Sequence, residues 1–269
     1  MQEPDAELPG GWPAFFGMLG ERHFSPFKTY VNRQRRTVVV LNPKVGTKTF
    51  RQALVEGLRE AQGLADPSAG RYRLFRNARR FPFAPIADYA HALRFPEQYE
   101  FYCFVRNPYA RLRSAWQNKF AYGHEKGYSR SIRRRELPRL RRFARTQSLP
   151  GGHDGEAIPF ATFLAYVESQ PAGRRDHHWD EQHRVLLMHR LRYARCFRME
   201  GEFTAGLAQV FERLALDGPG LQRILAMQAN VSPREQPGVY TEALAARALA
   251  LYREDFERFG YAPDSWRGL

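Results

Sequence analysis

The chain has 269 residues, 43% hydrophobic and 14% aromatic, enough to bury a large core and incompatible with a disordered basic tail. Its net charge is +14, and its basic residues are 37 Arg but only 5 Lys. Two cysteines, Cys103 and Cys196, stand far apart in sequence, which excludes a disulfide scaffold and a four-cysteine zinc site. No apolar run reaches the ~18–20 residues of a membrane span, and no signal-peptide pattern opens the chain. A soluble, cytoplasmic protein forming a single domain over residues 1–269, with an anionic partner, is therefore expected.

Residues 1–30 are broken by Pro and Gly and read as an irregular lead-in. Thr37–Leu41 is a β-branched apolar run, the pattern of a buried parallel strand, and Asn42-Pro43 ends it. From Thr49 to about Gln62, Phe50, Leu54 and Leu58 recur at helical spacing. Phe101–Val105 is a second buried-strand run, and Pro108 suits the first turn of a helix through Phe120. The basic segment, about 124–155, follows; Ile132, Leu137, Leu140 and Phe143 allow a loosely amphipathic helix interrupted by Pro138. Beyond it, Phe160–Glu168 reads as a helix, Tyr193–Arg198 as a strand, Phe203–Leu216 as a helix and Thr241–Phe259 as a last helix. Alternating strands and helices predict an α/β, three-layer, P-loop-like fold around a mainly parallel sheet. Ligands in such sheets bind beyond the carboxyl ends of the strands.

The high positive charge first points to nucleic acid. Between Glu125 and Arg145, however, nine basic residues meet two acids, so half of the excess belongs to one segment. A solvated insertion is the favoured reading of that segment. Residues 126–145 could instead hold an anionic polysaccharide or the surface of an anionic membrane.

Two strand–helix junctions carry the chemistry. The first is Asn42-Pro43-Lys44-Val45-Gly46-Thr47-Lys48-Thr49, where backbone N–H groups and a helix dipole favour an anion. Two of the chain's five lysines lie here, and a compact ammonium can follow a single bridging oxygen better than a guanidinium fork. The alternative is a solvated turn. A Walker A loop is absent, because Leu41 stands where its first Gly should be and Thr47 where its Lys should be. The second junction is Phe104-Val105-Arg106-Asn107-Pro108-Tyr109-Ala110-Arg111-Leu112-Arg113-Ser114-Ala115, in which an Arg fork and a hydroxyl could clamp a terminal phosphate.

Together the junctions resemble the PAPS-dependent sulfotransferases, in their carbohydrate sulfotransferase branch (the chondroitin and HNK-1 type). Asp176-His177-His178-Trp179-Asp180-Glu181-Gln182 is similar to that branch's D-x-H-W-x-x-Q, and Phe197-Arg198-Met199-Glu200 to its G-[KR]-x-E, with Phe197 in place of the Gly. Tyr252–Tyr261 is similar to its closing Y-x-x-D-F-x-x-F-G-Y. Bacterial relatives often carry a His about two dozen residues before the second junction; here that region reads Arg79-Arg80-Phe81, and the nearest alternative is His91.

The resemblance implies transfer of a sulfuryl group from 3′-phosphoadenosine 5′-phosphosulfate (PAPS) to a hydroxyl, with a carbohydrate as the expected acceptor and no metal. Lys44 would stabilise the leaving oxygen, and the loop amides from Val45 and Gly46 on, with Thr47, Lys48 and Thr49, would hold the phosphosulfate. Arg106 and Ser114, with Arg111, would hold the 3′-phosphate. His178 and His91 lead as the base, followed by Glu56 and Glu60. Trp179 is either core or a stacking platform for the acceptor, and Cys103 inert packing. The competing classes are a P-loop-like nucleotide kinase and a nucleic-acid-binding protein using the Arg-rich segment.

Overall fold

The computed structural model describes residues 29–61, 86–121, 130–226 and 238–269. Most of the lead-in, the Arg79-Arg80-Phe81 stretch and residues 122–129 of the basic segment lie outside these. In chain order the elements are β1 (Thr29–Asn32), β2 (Thr37–Val40), α1 (Thr47–Ala61), α2 (Ile86–Arg94), β3 (Glu100–Val105) and α3 (Pro108–Trp116). There follow α4 (Arg130–Thr146), α5 (Phe160–Glu168), α6 (Gln182–Val185), β4 (Tyr193–Arg198), α7 (Met199–Arg213), α8 (Pro219–Ala226), α9 (Glu242–Leu251) and α10 (Arg253–Phe259). The chain divides into two units: Met1–Val105 with Gln182–Pro233, and Arg106–Glu181 with Arg234–Leu269.

The first unit holds the sheet, in the order β1-β2-β3-β4. β2, β3 and β4 run parallel, and β1 pairs antiparallel with β2. This is an α/β arrangement with a mostly parallel sheet flanked by helices. Alternation along the strands puts Val39, Leu41, Tyr102, Phe104 and Phe197 in one core with Phe50 and Leu54 of α1 and Phe203, Leu207, Val210 and Phe211 of α7. Each such side chain contributes roughly 1.5–3 kcal/mol by leaving water. Phe197 stacks on Phe104 with ring centroids 5.3 Å apart, and Gly206 of α7 lies so close that a Cβ there would strike the Phe197 ring. The large residue at 197 and the small one at 206 thus fit together. Cys103 is fully buried directly opposite Cys196 on β4, both as free thiols, and burial pushes the Cys103 thiol well above its usual range. It is packing, not a nucleophile.

The described part of the second unit is helical, and its core gathers Tyr109, Leu112, Trp116, Phe120, Phe163, Trp179, Tyr252 and Phe256. Here the structure corrects the reading of the basic segment. α4 is not a solvated insertion: Ile132, Leu140 and Ala144 are buried, the first two in this core. Its buried Glu136 accepts hydrogen bonds from Arg135 (2.7 Å), Arg139 (3.2 Å) and the Tyr166 hydroxyl (2.9 Å). A buried carboxylate among arginines lets a strongly basic helix pack. Pro138 lies inside α4 without ending it. Trp179 is fully buried, and its indole N–H donates to Gln170 Oε1 at 2.9 Å, so it belongs to the core and cannot stack on an acceptor. The expected last helix breaks at Tyr252 (φ −117°, ψ 23°), whose hydroxyl donates to the Trp179 carbonyl at 2.6 Å.

Candidate functional site

In the first unit, the loop between β2 and α1 leaves the carboxyl end of a buried strand. Lys44 (φ 72°) and Gly46 (φ 73°) both take the left-handed conformation. For Lys44 this costs roughly 1–2 kcal/mol, since its Cβ crowds the backbone; strain of this kind concentrates where backbone must be aimed at a ligand. Gly46 is required twice over, because a Cβ there would also overlap the Phe203 ring. Val45 is buried in the core and anchors the turn, whereas Lys44 is half-buried and Lys48 exposed. The Thr47 hydroxyl donates to the Asn42 carbonyl at 3.1 Å, and Asn42 Nδ2 donates to Gln182 Oε1 at 2.7 Å. α1 opens with no acidic residue in its first turn. Its first N–H groups, a positive dipole end and Lys44 and Lys48 are together an arrangement that can cradle an anion.

Three of the expected bases, His91, Glu56 and Glu60, do not belong to this loop. His91 Nδ1 bonds the Tyr99 hydroxyl at 2.9 Å, next to the amino end of β3, and Tyr99 in turn receives Arg36, which precedes β2. The cradle lies at the opposite end of the sheet, roughly 20 Å away along a six-residue strand. His91 is therefore corrected to a structural residue. On α1, Glu56 pairs with Arg59 at 2.6 Å and Glu60 accepts from Gly220 N (2.6 Å) and Leu221 N (3.2 Å). Both carboxylates stand more than two turns down α1 and serve its packing with α8.

In the second unit, Arg106 is half-buried where the chain leaves β3. Asn107 caps α3, its Oδ1 accepting from Tyr109 N at 2.9 Å and Ala110 N at 3.4 Å. Ser114 lies two turns into α3 and is almost covered. Beside it in sequence, Arg113 lines a cleft with Tyr240, Trp266, Arg267 and Leu269, which sequence reasoning missed. Arg111 is corrected: it is only 2% exposed and donates to the carbonyls of Asp180 (2.6 Å) and His177 (2.8 Å). Burial pulls its pKa down, opposed by Tyr252, Asp255, Asp180 and Asp176. Its guanidinium frames the 176–180 turn instead of meeting a ligand.

That turn carries His178. His178 Nδ1 lies 2.6 Å from Asp176 Oδ1, which also accepts the His178 backbone N–H at 3.0 Å. The second oxygen, Asp176 Oδ2, is bonded to Arg135 of α4. Burial pushes the Asp176 carboxyl up, but the His178 hydrogen bond and the nearby His177 and His178 charges outweigh it and hold the pKa well below the usual carboxylate range. The donor atoms of Asp176, His177 and His178 lie within 4.8 Å of one another; Arg135, Asp176 and His178 form a hydrogen-bonded chain, with His177 beside it.

The sulfotransferase family model matches residues 43–262, most of the chain, so the chain belongs to the sulfotransferase family. It is 27% identical over 175 residues to carbohydrate sulfotransferase 12 of Mus musculus, a match covering 61% of this chain and 41% of that protein. The chain thus spans about two-fifths of that relative. No solved structure matches it significantly. Among the described residues no helix is long and apolar enough to cross a membrane.

Proposed function

We propose that the chain transfers a sulfuryl group from PAPS to a hydroxyl of a carbohydrate. The observation that carries this is the left-handed Lys44–Gly46 turn opening an acid-free helix start, inside a chain of the sulfotransferase family. Lys44 stabilises the bridging oxygen as the S–O bond breaks, and the amides from Val45 to Thr49, with Thr47 and Lys48, hold the 5′-phosphosulfate. Arg106 and Ser114 hold the 3′-phosphate. The Arg113 cleft, with two guanidiniums beside an aromatic plane, suits a phosphate and a base. His178 accepts the proton of the acceptor hydroxyl. The exposed Arg134, Arg139, Arg142 and Arg145 of α4 attract an anionic polysaccharide. A membrane is disfavoured as their partner, because the apolar side of α4 is already packed in the core.

Calorimetric titration with adenosine 3′,5′-bisphosphate, PAPS, ATP and duplex DNA tests the reading. Selective binding of the bisphosphate nucleotide at ordinary enzyme–ligand affinities, on the order of micromolar, weakened in Lys44→Ala and Arg106→Ala, is expected. Preference for ATP would favour a kinase, and tight DNA binding without the nucleotide would overturn the proposal.

A further inference from the structure

The 176–180 turn is held from several directions. Arg111 takes the carbonyls of His177 and Asp180, and the Tyr252 hydroxyl takes that of Trp179. The N–H groups of Trp179 and Asp180 both donate to the Asp176 carbonyl at 2.9 Å. Asp176 itself is fixed at both oxygens, by Arg135 on one side and His178 on the other. Its side chain is 2% exposed, whereas that of His178 keeps 16% exposure and that of Arg135 53%. An ionised carboxylate only accepts. A neutral His178 facing it must therefore carry its proton on Nδ1, and its Nε2 keeps a lone pair.

We propose that Asp176 is the positioning residue of the reaction: anchored by Arg135, it fixes the His178 ring and tautomer so that Nε2 is the proton acceptor. The inference rests on the sulfuryl-transfer reading above. In the step, the acceptor O–H proton passes to His178 Nε2 as the acceptor oxygen bonds to sulfur. The S–O bond to the 5′-phosphate breaks, and adenosine 3′,5′-bisphosphate leaves with the electron pair. Asp176 stabilises the imidazolium that results. His177 is not equivalent: its Nδ1 is 3.9 Å from the same oxygen. The role also gives α4 a part in the chemistry, since its Arg135 reaches Asp176 while exposed Arg134 and Arg142 do not belong to the chain of bonds.

Long-range ¹H–¹⁵N correlation of histidine-labelled protein, recorded at a pH where the imidazoles are neutral, reads the tautomer directly and needs no acceptor. Wild type should show His178 protonated on Nδ1; Asp176→Asn should shift it toward the Nε2-protonated form, Arg135→Met should shift it less, and Asp176→Glu should restore it in part. With PAPS and unsulfated chondroitin as probe acceptor, Asp176→Asn should lose on the order of 10²-fold in kcat with the PAPS KM unchanged, and Arg134→Ala with Arg142→Ala should keep the His178 tautomer. An unchanged tautomer in Asp176→Asn, or a wild-type kcat, overturns the inference. Titration with adenosine 3′,5′-bisphosphate separates the two levels. If wild type fails to bind it, the sulfuryl-transfer reading falls; if wild type and Asp176→Asn bind it equally and the tautomer does not move, only the role of Asp176 falls.

Discussion

The buried side-chain amides of Asn42 and Gln182 meet at 2.7 Å although 140 residues separate them in sequence. The bond fastens the first residue of the Lys44 loop to the last residue of the D-x-H-W-x-x-Q run. Asn42→Ala removes the donor from a buried amide oxygen, at a cost of about 1–3 kcal/mol. Urea unfolding should show the midpoint falling with an unchanged slope. An unchanged midpoint would mean that the bond holds nothing together.

Gly46→Ala meets two penalties, a left-handed backbone and the Phe203 ring. The backbone alone costs about 1 kcal/mol, and relief of the clash must displace the turn. Calorimetry should find binding of adenosine 3′,5′-bisphosphate reduced much more than the melting temperature is lowered. A variant with full affinity would show that the turn does not set the site.

Strain and charge at Lys44 can be separated, since Lys44→Gly relieves the left-handed conformation while Lys44→Ala retains it. Both remove the ammonium and should lower sulfuryl transfer by about 10²–10³-fold. Lys44→Gly should nevertheless be the more stable of the two, by about 1 kcal/mol. Equal stability would mean that the loop relaxes without cost.

Asp176 links the fold to pH. Its pKa is depressed in the folded chain, so its ionised form stabilises the fold above the ordinary carboxylate value of about 3.9. That contribution disappears as pH falls through this value toward the lower folded one. Asp176→Asn should therefore be less stable than wild type at neutral pH, and the difference should shrink on acidification below about pH 4. Melting curves across this range check it; a gap that widens in acid contradicts the assignment.

Pro138 is exposed within α4, where it can donate no N–H and its ring crowds the preceding turn. Pro138→Ala should stabilise the second unit by up to about 3 kcal/mol. No gain in thermal stability would mean that α4 is kinked to fit its neighbours.

Much of the fold was legible in the sequence because β2 and nearly all of β3 are buried, and their β-branched and aromatic runs have no other good reading. Tyr193–Arg198 and Phe160–Glu168 fall on the expected bounds. α4 was misjudged because its stability depends on Glu136, one buried acid among arginines, and burial of a charge has no local signature. The break at Tyr252 depends on a bond to Trp179, 73 residues away. His91 was misplaced although a signal existed: what immediately precedes a parallel strand lies at its amino end, away from the ligand loops. Asp176 also had a signal, an acid two residues before a histidine in a turn. The burial of Arg111 had none, since an arginine bonded to carbonyls and one bonded to phosphate look alike in sequence.

The carboxylate of Glu60 on the amides that open α8 has a wider meaning. Asp88 stands in the first turn of α2, and Glu200 and Glu202 in that of α7. Among the longer helices described in the first unit, only α1 begins without negative charge supplied by the chain. On the proposed reading, selectivity for one docking point is thus written partly by occlusion: an incoming polyanion would be repelled or forestalled at three helix starts and met by lysine at the fourth.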